Sequence, residues 1–434
     1  MTDYIGKNGL EYSYEKELHG VHGEHRMEVD SNGSVKEDLG IVNPVQGDEL
    51  DLYLDAKLQH KTYEVLDKIL AISTDATGAA AVAIDVKTGG VLALVNAPGY
   101  DNNLFSGGIS HEDYVKLIND ERHPMTNRSV SGEYPPGSTF KPLMAAAALE
   151  DKIITENTTL NCLGRISVGS WNFPDWTTHG MTDVKKAIAE SCDVFFYAIG
   201  GGWEQINAMG ISGMGKYAKM FGLGSAMGID LPWEAKGLIP DEDWKVRRFG
   251  EKWYIGDNYH CSIGQGFITA TPLQMAVSIS VIANDGILYK PQLVKSIVHS
   301  DTKKNEEIQP VIIRENFISK QNLRIVREGM RQTVTDGSAK QMGTLEVQTA
   351  GKTGTAQFGN EGKLHSWYVS FAPYDNPQIA MAVLVEGGGE GHTWAVPATR
   401  EIYRWYFDEK RGSEPKPSDS FENSLKTAKS MQGD

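Results

Sequence analysis

The alternation of apolar and polar residues divides the chain into strand-like runs near its two ends and helical runs between them. Near the start, 79–97 contains two β-rich runs joined at "KTGG", which predicts a hairpin. Three further strand-like runs, 345–357, 365–373 and 378–387, lie near the end. This order predicts a mixed α/β (α+β) fold, in which a sheet is built from both ends of the chain and a helical lobe is inserted between its strands.

Helical periodicity marks most of the remaining segments. The predicted helices are 55–71, 138–151, 182–200, 213–221, 271–286, 319–336 and 397–410. Residues 1–50 are predicted to be a short β-rich lead-in, the remnant of an N-terminal linker or pedestal domain. The main domain then covers 51–410, and 411–434 is predicted to be a polar, disordered tail.

Composition narrows the class of protein. The chain has 434 residues, of which 40% are hydrophobic and 23% charged, as in ordinary globular proteins. Its net charge of −15 argues against nucleic acid or an anionic membrane surface as the main partner. No apolar run approaches the roughly 18 to 20 residues that span a bilayer. We therefore expect either a cytoplasmic protein or a piece cut from a membrane-anchored one, and the opening "MTDYIGKNGLEYSYE" favours the cut piece.

The first chemical candidate is "YPPGSTFKP", where Ser138 and Lys141 lie three residues apart. On a helix, positions i and i+3 share a face, so the two side chains would lie within reach of one another. A lysine can take the proton of a serine and make it a nucleophile, and a helix N-terminus stabilises the negative charge that develops. Taken alone, however, the pair fits a serine N-cap and a solvated lysine better.

Two later stretches change that balance. In "ESCDVFFY", Ser191 and Asp193 border a strongly apolar run, as polar groups at the mouth of a pocket would. In "AGKTGTAQ", Gly354 follows Lys352 inside a strand-like run, where glycine often marks the close approach of a backbone or a ligand. Each stretch alone fits a loop or a bulge. In this order, the three match the S-x-x-K, S-x-N and K-T-G motifs of serine acyltransferases that react with penicillin.

With these motifs the chain resembles the class B penicillin-binding proteins, the D,D-transpeptidases that cross-link peptidoglycan, and among them the elongation branch, penicillin-binding protein 2. The resemblance includes "LDAKLQ" (54–59), the hairpin over 79–97, "SIGQG" with "TPLQMA" (262–276) and "HSWYVSFAP" (365–373), and it covers nearly all of 5–410. It implies a serine β-lactamase/D,D-transpeptidase fold, with an antiparallel sheet flanked by helices and an inserted helical subdomain.

The resemblance also implies catalytic roles. Ser138 would attack the penultimate D-Ala carbonyl of a stem peptide and form an acyl-enzyme, and Lys141 would accept its proton. Ser191, with Lys352, would relay a proton to the leaving D-Ala amine. These groups would then act again when the amine of a second stem peptide takes the acyl group.

The third motif is implied to bind the substrate. Thr353 and Thr355, on either side of Gly354, would bind the terminal carboxylate, and Lys352 would supply positive charge. The backbone N–H groups of Ser138 and Thr355 would form the oxyanion hole.

Asp193 departs from the usual motif, which has asparagine at this position. An amide both donates and accepts hydrogen bonds, whereas an ionised carboxylate only accepts. Some elongation-type members resemble this chain in having Asp there, so Asp193 stays among the expected catalytic residues. We expect Asp193→Asn to leave acylation within about tenfold, roughly 1.4 kcal/mol.

Four residues between the first and second motifs suggest a metal site: Cys162, Asp175, His179 and Cys192. Two thiolates, an imidazole and a carboxylate form an acceptable tetrahedral zinc set, although their spacing is loose. The alternatives are buried free thiols, a Cys162–Cys192 disulfide, and a histidine packed in a loop. The chemistry itself requires no cofactor, so a zinc ion here would brace the active-site wall.

Three other functions compete with the transpeptidase reading. They are a class D-type β-lactamase, which also has "STFK", a β-lactam sensor, and an inactive scaffold of a cell-wall complex. The chain length argues against the β-lactamase, and the lack of a transmembrane partner segment argues against the sensor. The intact Ser138, Lys141 and Lys352 argue against the inactive scaffold.

The resemblance also implies a cellular setting. Its ligands would be β-lactams and stem peptides ending in D-Ala-D-Ala, and its partner a polytopic glycosyltransferase of the elongation machinery. The protein would work at the extracytoplasmic face of the bacterial cell membrane, held by a single N-terminal anchor that is missing from this chain.

Overall fold

The computed structural model describes residues 5–359, 362–410, 412 and 419–431. Its helices are α1 (Gly9–Ser13), α2 (Glu15–Leu18), α3 (Ala56–Ile72), α4 (His111–Asn119), α5 (Arg128–Ser131), α6 (Lys141–Glu150), α7 (Val184–Ala189), α8 (Asp193–Gly201), α9 (Gly210–Met220), α10 (Glu242–Phe249), α11 (Ile255–Ser262), α12 (Pro272–Ala283), α13 (Lys320–Thr335), α14 (Ala395–Lys410) and α15 (Asp419–Met431). Short 3₁₀ turns cover Asn102–Phe105, Gly137–Phe140 and Lys340–Thr344.

The strands are β1 (Glu24–Val29), β2 (Val35–Val42), β3 (Glu49–Leu52), β4 (Gly78–Asp85), β5 (Val91–Ala97), β6 (Leu160–Cys162), β7 (Arg165–Val168), β8 (Trp171–Pro174), β9 (Gly180–Thr182), β10 (Leu288–Tyr289), β11 (Val294–Val298), β12 (Asn305–Glu307), β13 (Ile312–Arg314), β14 (Ala350–Phe358), β15 (Lys363–Ala372) and β16 (Ile379–Glu386). All the strand pairs of the described sheets are antiparallel.

A five-stranded sheet in the order β14-β15-β16-β4-β5 forms the centre of the main domain. The predicted hairpin over 79–97 supplies β4 and β5, and the three predicted strands near the end of the chain supply the rest. The inserted segment between β5 and β14 contains α4 to α13. The predicted fold class is confirmed, and β14 lies at the sheet edge, where one side of its backbone is open to other groups.

The sheet separates two hydrophobic cores because successive side chains of a strand point to opposite faces. On one face, Val82 and Ile84 of β4 are buried with residues of α6, α8 and α12. On the other face, Ala81 and Ala83 are buried with residues of α3 and α14. Helix α6 begins at Lys141 of the first motif, and helix α8 begins at Asp193 of the second. The larger core thus fixes the helices that carry these two motifs.

The end of the chain differs from the prediction. Of the tail 411–434, predicted to be disordered, residues 419–431 form α15, while 411, 413–418 and 432–434 lie outside the described residues. Phe421, Leu425 and Ala428 of this helix are buried in the second core. Their spacing of four and three residues places them on one helical face, which the polar composition of the tail conceals.

The N-terminal segment contains α1, α2, the exposed hairpin of β1 and β2, and β3. It joins the main domain through β3, which pairs with β11 so that Leu50 lies opposite Ile297. Within the described residues, no helix is long and apolar enough to cross a membrane.

Candidate active site

Ser138 lies in the 3₁₀ turn Gly137–Phe140, directly before α6. The sequence predicted that the helix starts at Ser138 with this serine as its cap. In the structure the regular helix begins at Lys141, and the N-cap residues of the turn and of the helix are Pro136 and Phe140, so Ser138 is the cap of neither. The turn is pressed against the sheet edge, since Gly137 has a φ of +54° and a Cβ there would lie 2.8 Å from Thr355 O. Glycine is required for both reasons.

The same close approach explains Gly354. A Cβ at this position would lie 2.7 Å from Thr139 Cγ2 and 3.1 Å from Pro136 O, so a larger residue would push the serine turn away from β14. The prediction that a glycine in this strand marks the approach of another backbone is confirmed. The contact brings the first and third motifs together.

Lys141 connects the first motif to the second. Its side chain is fully buried, and Nζ donates to Ser191 O at 2.8 Å, to Ser191 Oγ at 3.1 Å and to Asp193 Oδ1 at 2.5 Å. The Phe196 ring lies 5.5 Å from the ammonium. Among the described residues, no hydrogen bond joins Ser138 Oγ to Lys141. Catalytic hydrogen bonds are often long before a ligand is bound and tighten only in its complex.

Ser191 reaches Lys141 because the helical run around it is interrupted. The sequence predicted one helix over 182–200, but α7 ends at Ala189 and α8 begins at Asp193. Ser191, between them, has a φ of +61°, a left-handed conformation that costs a residue with a side chain of order 1 kcal/mol. This break turns the Ser191 carbonyl and hydroxyl and the Asp193 carboxylate toward the same ammonium.

Lys352 on β14 is fully buried, and its Nζ donates to Thr353 O at 3.0 Å. Burial lowers the pKa of Lys352 well below its ordinary value, and the nearby Lys141 charge lowers it further, while Asp193 acts in the opposite direction. A second buried lysine therefore stands close to the Lys141–Asp193 pair and holds its proton weakly, as a proton relay requires.

The two threonines of the third motif are held from different sides. Thr353 Oγ1 lies 2.6 Å from Ser338 Oγ, and Thr355 Oγ1 accepts a hydrogen bond from Gly391 N at 3.2 Å. Gln265 Nε2 donates to Thr355 O at 3.3 Å. Sequence reasoning missed Ser338, Gln265 and Gly391 as site residues, because each comes from a segment distant in sequence. For Gln265 a signal existed in the family-like "SIGQG".

Three of the four predicted metal ligands, Cys162, Asp175 and Cys192, lie together, whereas His179 is not part of this group and its ring nitrogens contact Asp175 and Glu190. Asp175 Oδ2 accepts from Cys162 Sγ at 3.4 Å and from Cys192 Sγ at 3.3 Å, and Asp175 Oδ1 lies 3.3 Å from His179 Nε2. The ligand atoms of Cys162, Asp175 and Cys192 all fall within 4.8 Å of one another. Both cysteines are buried and unpaired by disulfide, so the structure describes free thiols.

The charges of this cluster suit a cation. Burial alone would raise the pKa of Asp175, but the Val194 N–H and the Lys141 charge bring it below its usual range. A hydrogen bond from Cys192 lowers the pKa of Cys162 to about 6, and the same contact, with burial, raises that of Cys192. The Asp175 charge raises the pKa of both thiols, and a bound metal ion would favour their ionised forms.

Comparison with known proteins identifies the family. The sequence profile of the penicillin-binding protein transpeptidase domain matches residues 79–404, and that of the penicillin-binding protein dimerisation domain matches 1–52. The chain belongs to the penicillin-binding protein transpeptidase family.

Curated relatives of this transpeptidase domain include peptidoglycan D,D-transpeptidase MrdA of Escherichia coli K12, which is 38% identical over 433 residues, and MrdA of Acinetobacter baumannii, which is 36% identical over 437 residues. Each alignment covers 94% of this chain. The chain spans 64% and 62% of the length of these two relatives.

Solved penicillin-binding proteins have the same fold. Pseudomonas aeruginosa PBP2 in complex with WCK 5153 matches with a TM-score of 0.80 and 32% identity, over 96% of this chain and 85% of the other. Helicobacter pylori PBP2 in complex with MreC matches with a TM-score of 0.78 and 33% identity, over 93% and 72%. The expected elongation-type family and D,D-transpeptidase fold are confirmed.

Proposed function

We propose that this chain is a serine D,D-transpeptidase that cross-links peptidoglycan stem peptides in cell-wall elongation. The observation that carries the proposal is the convergence of all three motifs. Lys141 contacts Ser191 and Asp193, Lys352 is buried close to them, and the Ser138 turn rests on the β14 edge. The names of the curated relatives support the same reaction class.

In acylation, Ser138 Oγ attacks the carbonyl carbon of the penultimate D-Ala. The peptide C–N bond breaks, and Lys141 accepts the proton of the serine. A proton is then delivered to the departing D-Ala amine. Lys141 Nζ and Ser191 Oγ are 3.1 Å apart, which supports a direct proton path between them. The amine of a second stem peptide then attacks the ester, and Ser138 regains its proton.

The substrate carboxylate would lie at the Thr353 end of β14. The hydroxyls of Thr353 and Ser338 and the charge of Lys352 form a donor set there. We further propose that Thr355 binds the same carboxylate, and that the N–H groups of Ser138 and Thr355 form the oxyanion hole, since the turn and the strand that carry them are in contact at Gly137.

Intact mass spectrometry with benzylpenicillin tests the proposal. The wild-type chain should gain one penicilloyl group and keep it for hours, while Ser138→Ala should gain none. Adducts of equal yield on both chains would refute the nucleophile assignment. Rapid loss of the adduct would favour a β-lactamase. Stable acylation without cross-linking of stem peptides would favour a sensor or a scaffold.

The cellular setting is part of the proposal. Stem peptides ending in D-Ala-D-Ala and β-lactams would be the ligands, because both present a carboxylate and an acyl carbon to the same site. A polytopic glycosyltransferase is the proposed partner. Support comes from a peptidoglycan synthase complex that coordinates polymerization and crosslinking, one chain of which is 31% identical with a TM-score of 0.81. The extracytoplasmic membrane face, where cross-linking takes place, is the proposed location, with membrane anchoring of the intact protein.

We also propose a structural zinc ion held by Cys162, Asp175, His179 and Cys192. It would fix Cys192, and with it the Ser191–Asp193 turn, without taking part in the chemistry. Elemental analysis of the purified protein should find nearly one zinc per chain, and less than about 0.2 would end the idea. A protein mass lower by about 2 Da without reduction would indicate the Cys162–Cys192 disulfide in its place.

A further inference from the structure

A buried network of an arginine, a glutamate and a tyrosine takes no part in the proposed chemistry. Tyr134 Oη donates to Glu386 Oε1 at 2.6 Å, and Arg128 Nε donates to Glu386 Oε2 at 2.8 Å. Arg128 also donates to the backbone carbonyls of Arg122 and His123. The side chains of Arg128 and Glu386 are 3% and 15% exposed, and Tyr134 is 8% exposed. Both carboxylate oxygens of Glu386 are therefore engaged inside the protein.

Stability alone is a weak explanation for this network. Burying an arginine and a glutamate removes both charges from water, and this cost largely cancels their attraction. Apolar side chains of similar volume often stabilise such a position equally well. What the charged groups add is direction, because a carboxylate between two donors fixes the geometry of both. Burial and the charge of Glu386 raise the pKa of Tyr134, so its phenol keeps its proton and remains a donor.

Tyr134 begins the segment that ends at the nucleophile, since Ser138 follows it by four residues. Its ring lies edge-on to Trp367 at 6.2 Å between centroids, and Trp367 Nε1 donates to Pro135 O at 3.1 Å. Near the other end of this segment, a Cβ at Gly137 would lie 2.8 Å from the backbone of β14. The segment is thus packed between the tyrosine and the sheet edge, and a shift at its start would be transmitted to the serine turn.

Glu386 begins a second segment that reaches the site. It is the last residue of β16, and five residues later Gly391 N donates to Thr355 Oγ1 at 3.2 Å. Gly137 of the serine turn closely approaches the carbonyl oxygen of the same threonine. One carboxylate thus holds the starts of two segments that meet at Thr355 on the β14 edge.

We propose that Tyr134 and Glu386 are positioning residues for acylation. The hydrogen bond between them sets where the serine turn lies relative to β14, and with it the distance from Ser138 Oγ to an acyl carbon bound along that strand. Arg128 holds the carboxylate for this contact. A displacement of a reacting group by about 1 Å can slow a reaction about a hundredfold, so a contact that fixes the turn bears directly on the rate. The inference rests on the proposed function, since it concerns the same acylation.

A competing role is stability without any effect on the reaction. The backbone of Tyr134 also pairs with Ala270 through two hydrogen bonds, of 3.0 and 2.9 Å, so the segment would keep part of its support without the hydroxyl. The two roles differ in the quantity that changes. Loss of stability alone lowers the thermal midpoint and leaves the folded enzyme as fast as before. Loss of positioning slows the covalent step in enzyme that is fully folded.

The test measures acylation of the full chain by benzylpenicillin over a range of concentrations, together with thermal unfolding of each variant. It separates k2, the rate constant of the covalent step, from Kd, the dissociation constant of the complex that precedes it. The variants are Tyr134→Phe, which removes only the hydroxyl, and Glu386→Gln. The matched control is Tyr217→Phe, because Tyr217 is 3% exposed and its hydroxyl donates to Asp151 Oδ1 at 2.5 Å. Asp151 follows the C-terminal end of α6, opposite to the end that Ser138 precedes.

We expect Tyr134→Phe and Tyr217→Phe to lower the thermal midpoint by similar amounts, about 1 to 4 °C, because each loses one hydrogen bond to a carboxylate. Tyr134→Phe should lower k2 about tenfold and leave Kd within about twofold, whereas Tyr217→Phe should change neither. Glu386→Gln should show the opposite balance. It loses the charge opposite Arg128 and should lower the midpoint more. Its amide can still accept from Arg128 and donate to the Tyr134 oxygen, so k2 should stay within about threefold.

An unchanged k2 in Tyr134→Phe, or an equal loss of k2 in Tyr217→Phe, would overturn the inference. So would losses of k2 that follow the losses in thermal midpoint across the three variants, because that result would describe a purely structural role. Where Glu386→Gln does not fold, the two tyrosine variants decide the question. Failure of the proposed function would look different, because then the wild type would form no Ser138-dependent adduct.

Discussion

The substitution Asp193→Asn tests how Lys141 is held in the site. At the observed 2.5 Å separation, the attraction between two unit charges is roughly 6–7 kcal/mol at an effective dielectric constant of 20. Removing an ammonium and a carboxylate from water costs a comparable amount, so the net value of the pair is much smaller than either quantity. The substitution therefore removes two large effects that oppose one another.

The position of Lys141 should survive the change. An asparagine keeps an oxygen acceptor where Asp193 Oδ1 lies, and the two contacts with Ser191, at 2.8 and 3.1 Å, are unaffected. A lysine that accepts a proton must first be neutral, and a neutral amide does not oppose that state. We expect acylation by benzylpenicillin to stay within about tenfold, roughly 1.4 kcal/mol. Asp193→Ala, which removes the acceptor as well, should cost about a hundredfold or more, roughly 2.7 kcal/mol.

A second lysine–aspartate pair offers a matched control. Lys245 Nζ lies 2.6 Å from Asp257 Oδ2, and the side chains are 5% and 16% exposed, compared with 0% and 20% for Lys141 and Asp193. Asp257→Asn should lower the thermal midpoint about as much as Asp193→Asn while leaving the second-order acylation rate within about twofold. A loss of several orders of magnitude in Asp193→Asn, with the control still active, would refute this account of Lys141.

Three further outcomes follow from the site. Burial lowers the pKa of Lys352, so the folded state loses stability when this side chain carries a charge. This loss in the free energy of unfolding is largest at low pH and disappears as the pH approaches the ordinary lysine pKa near 10.4. Lys352→Met should therefore raise the thermal midpoint at pH 7 by at least about 2 °C and by less at pH 10, whereas equal gains would contradict the burial argument. The Ser338 hydroxyl lies 2.6 Å from Thr353 Oγ1, in the proposed carboxylate subsite. Ser338→Ala should therefore slow acylation by benzylpenicillin about threefold to tenfold, but it should not slow acylation by the methyl ester, which has no free carboxylate. Ser338→Thr, which keeps a hydroxyl, should restore the rate. Gly391→Ala should reduce both acylation and the thermal midpoint, since its Cβ would come within 2.5 Å of Gly354 O, and an unchanged rate would show that the loop moves freely.

Periodicity was sufficient to predict the central sheet and the longer helices of the main domain, because strands buried on both faces and helices packed on a core leave strong patterns. It missed the helices α4, α10, α11 and α15, and it failed where the backbone departs from a regular element. The break around Ser191 was concealed by continuous apolar residues on both sides, and the 3₁₀ turn at Ser138 has the composition of a helix start. Both departures lie at the site, where strained backbone is most often retained.

The sequence predicted only those residues of the candidate site that lie within short motifs. Ser138 with Lys141, and Lys352 with Thr353, are each fixed by a few residues of sequence and by their order along the chain. Ser338, Gln265 and Gly391 come from a helix end and two loops, and only the packing of these segments against β14 makes them neighbours of the motifs. For Ser338 and Gly391 a single sequence contains no local signal of such contacts, whereas for Gln265 the family-like "SIGQG" was one.

The two buried lysines have different surroundings. Lys141 Nζ lies 2.5 Å from Asp193 Oδ1 and also donates to Ser191 O and Ser191 Oγ, so three oxygen atoms surround it. Lys352 Nζ donates to Thr353 O, and burial and the Lys141 charge lower its pKa, while Asp193 acts in the opposite direction. An opposite charge near a buried lysine favours its charged form, and the asparagine usual in this motif would not supply one. The carboxylate of Asp193 therefore partly offsets the cost of placing two lysines in the same buried space, and the Lys141–Ser191 contact at 3.1 Å provides a path by which a proton can reach the leaving amine.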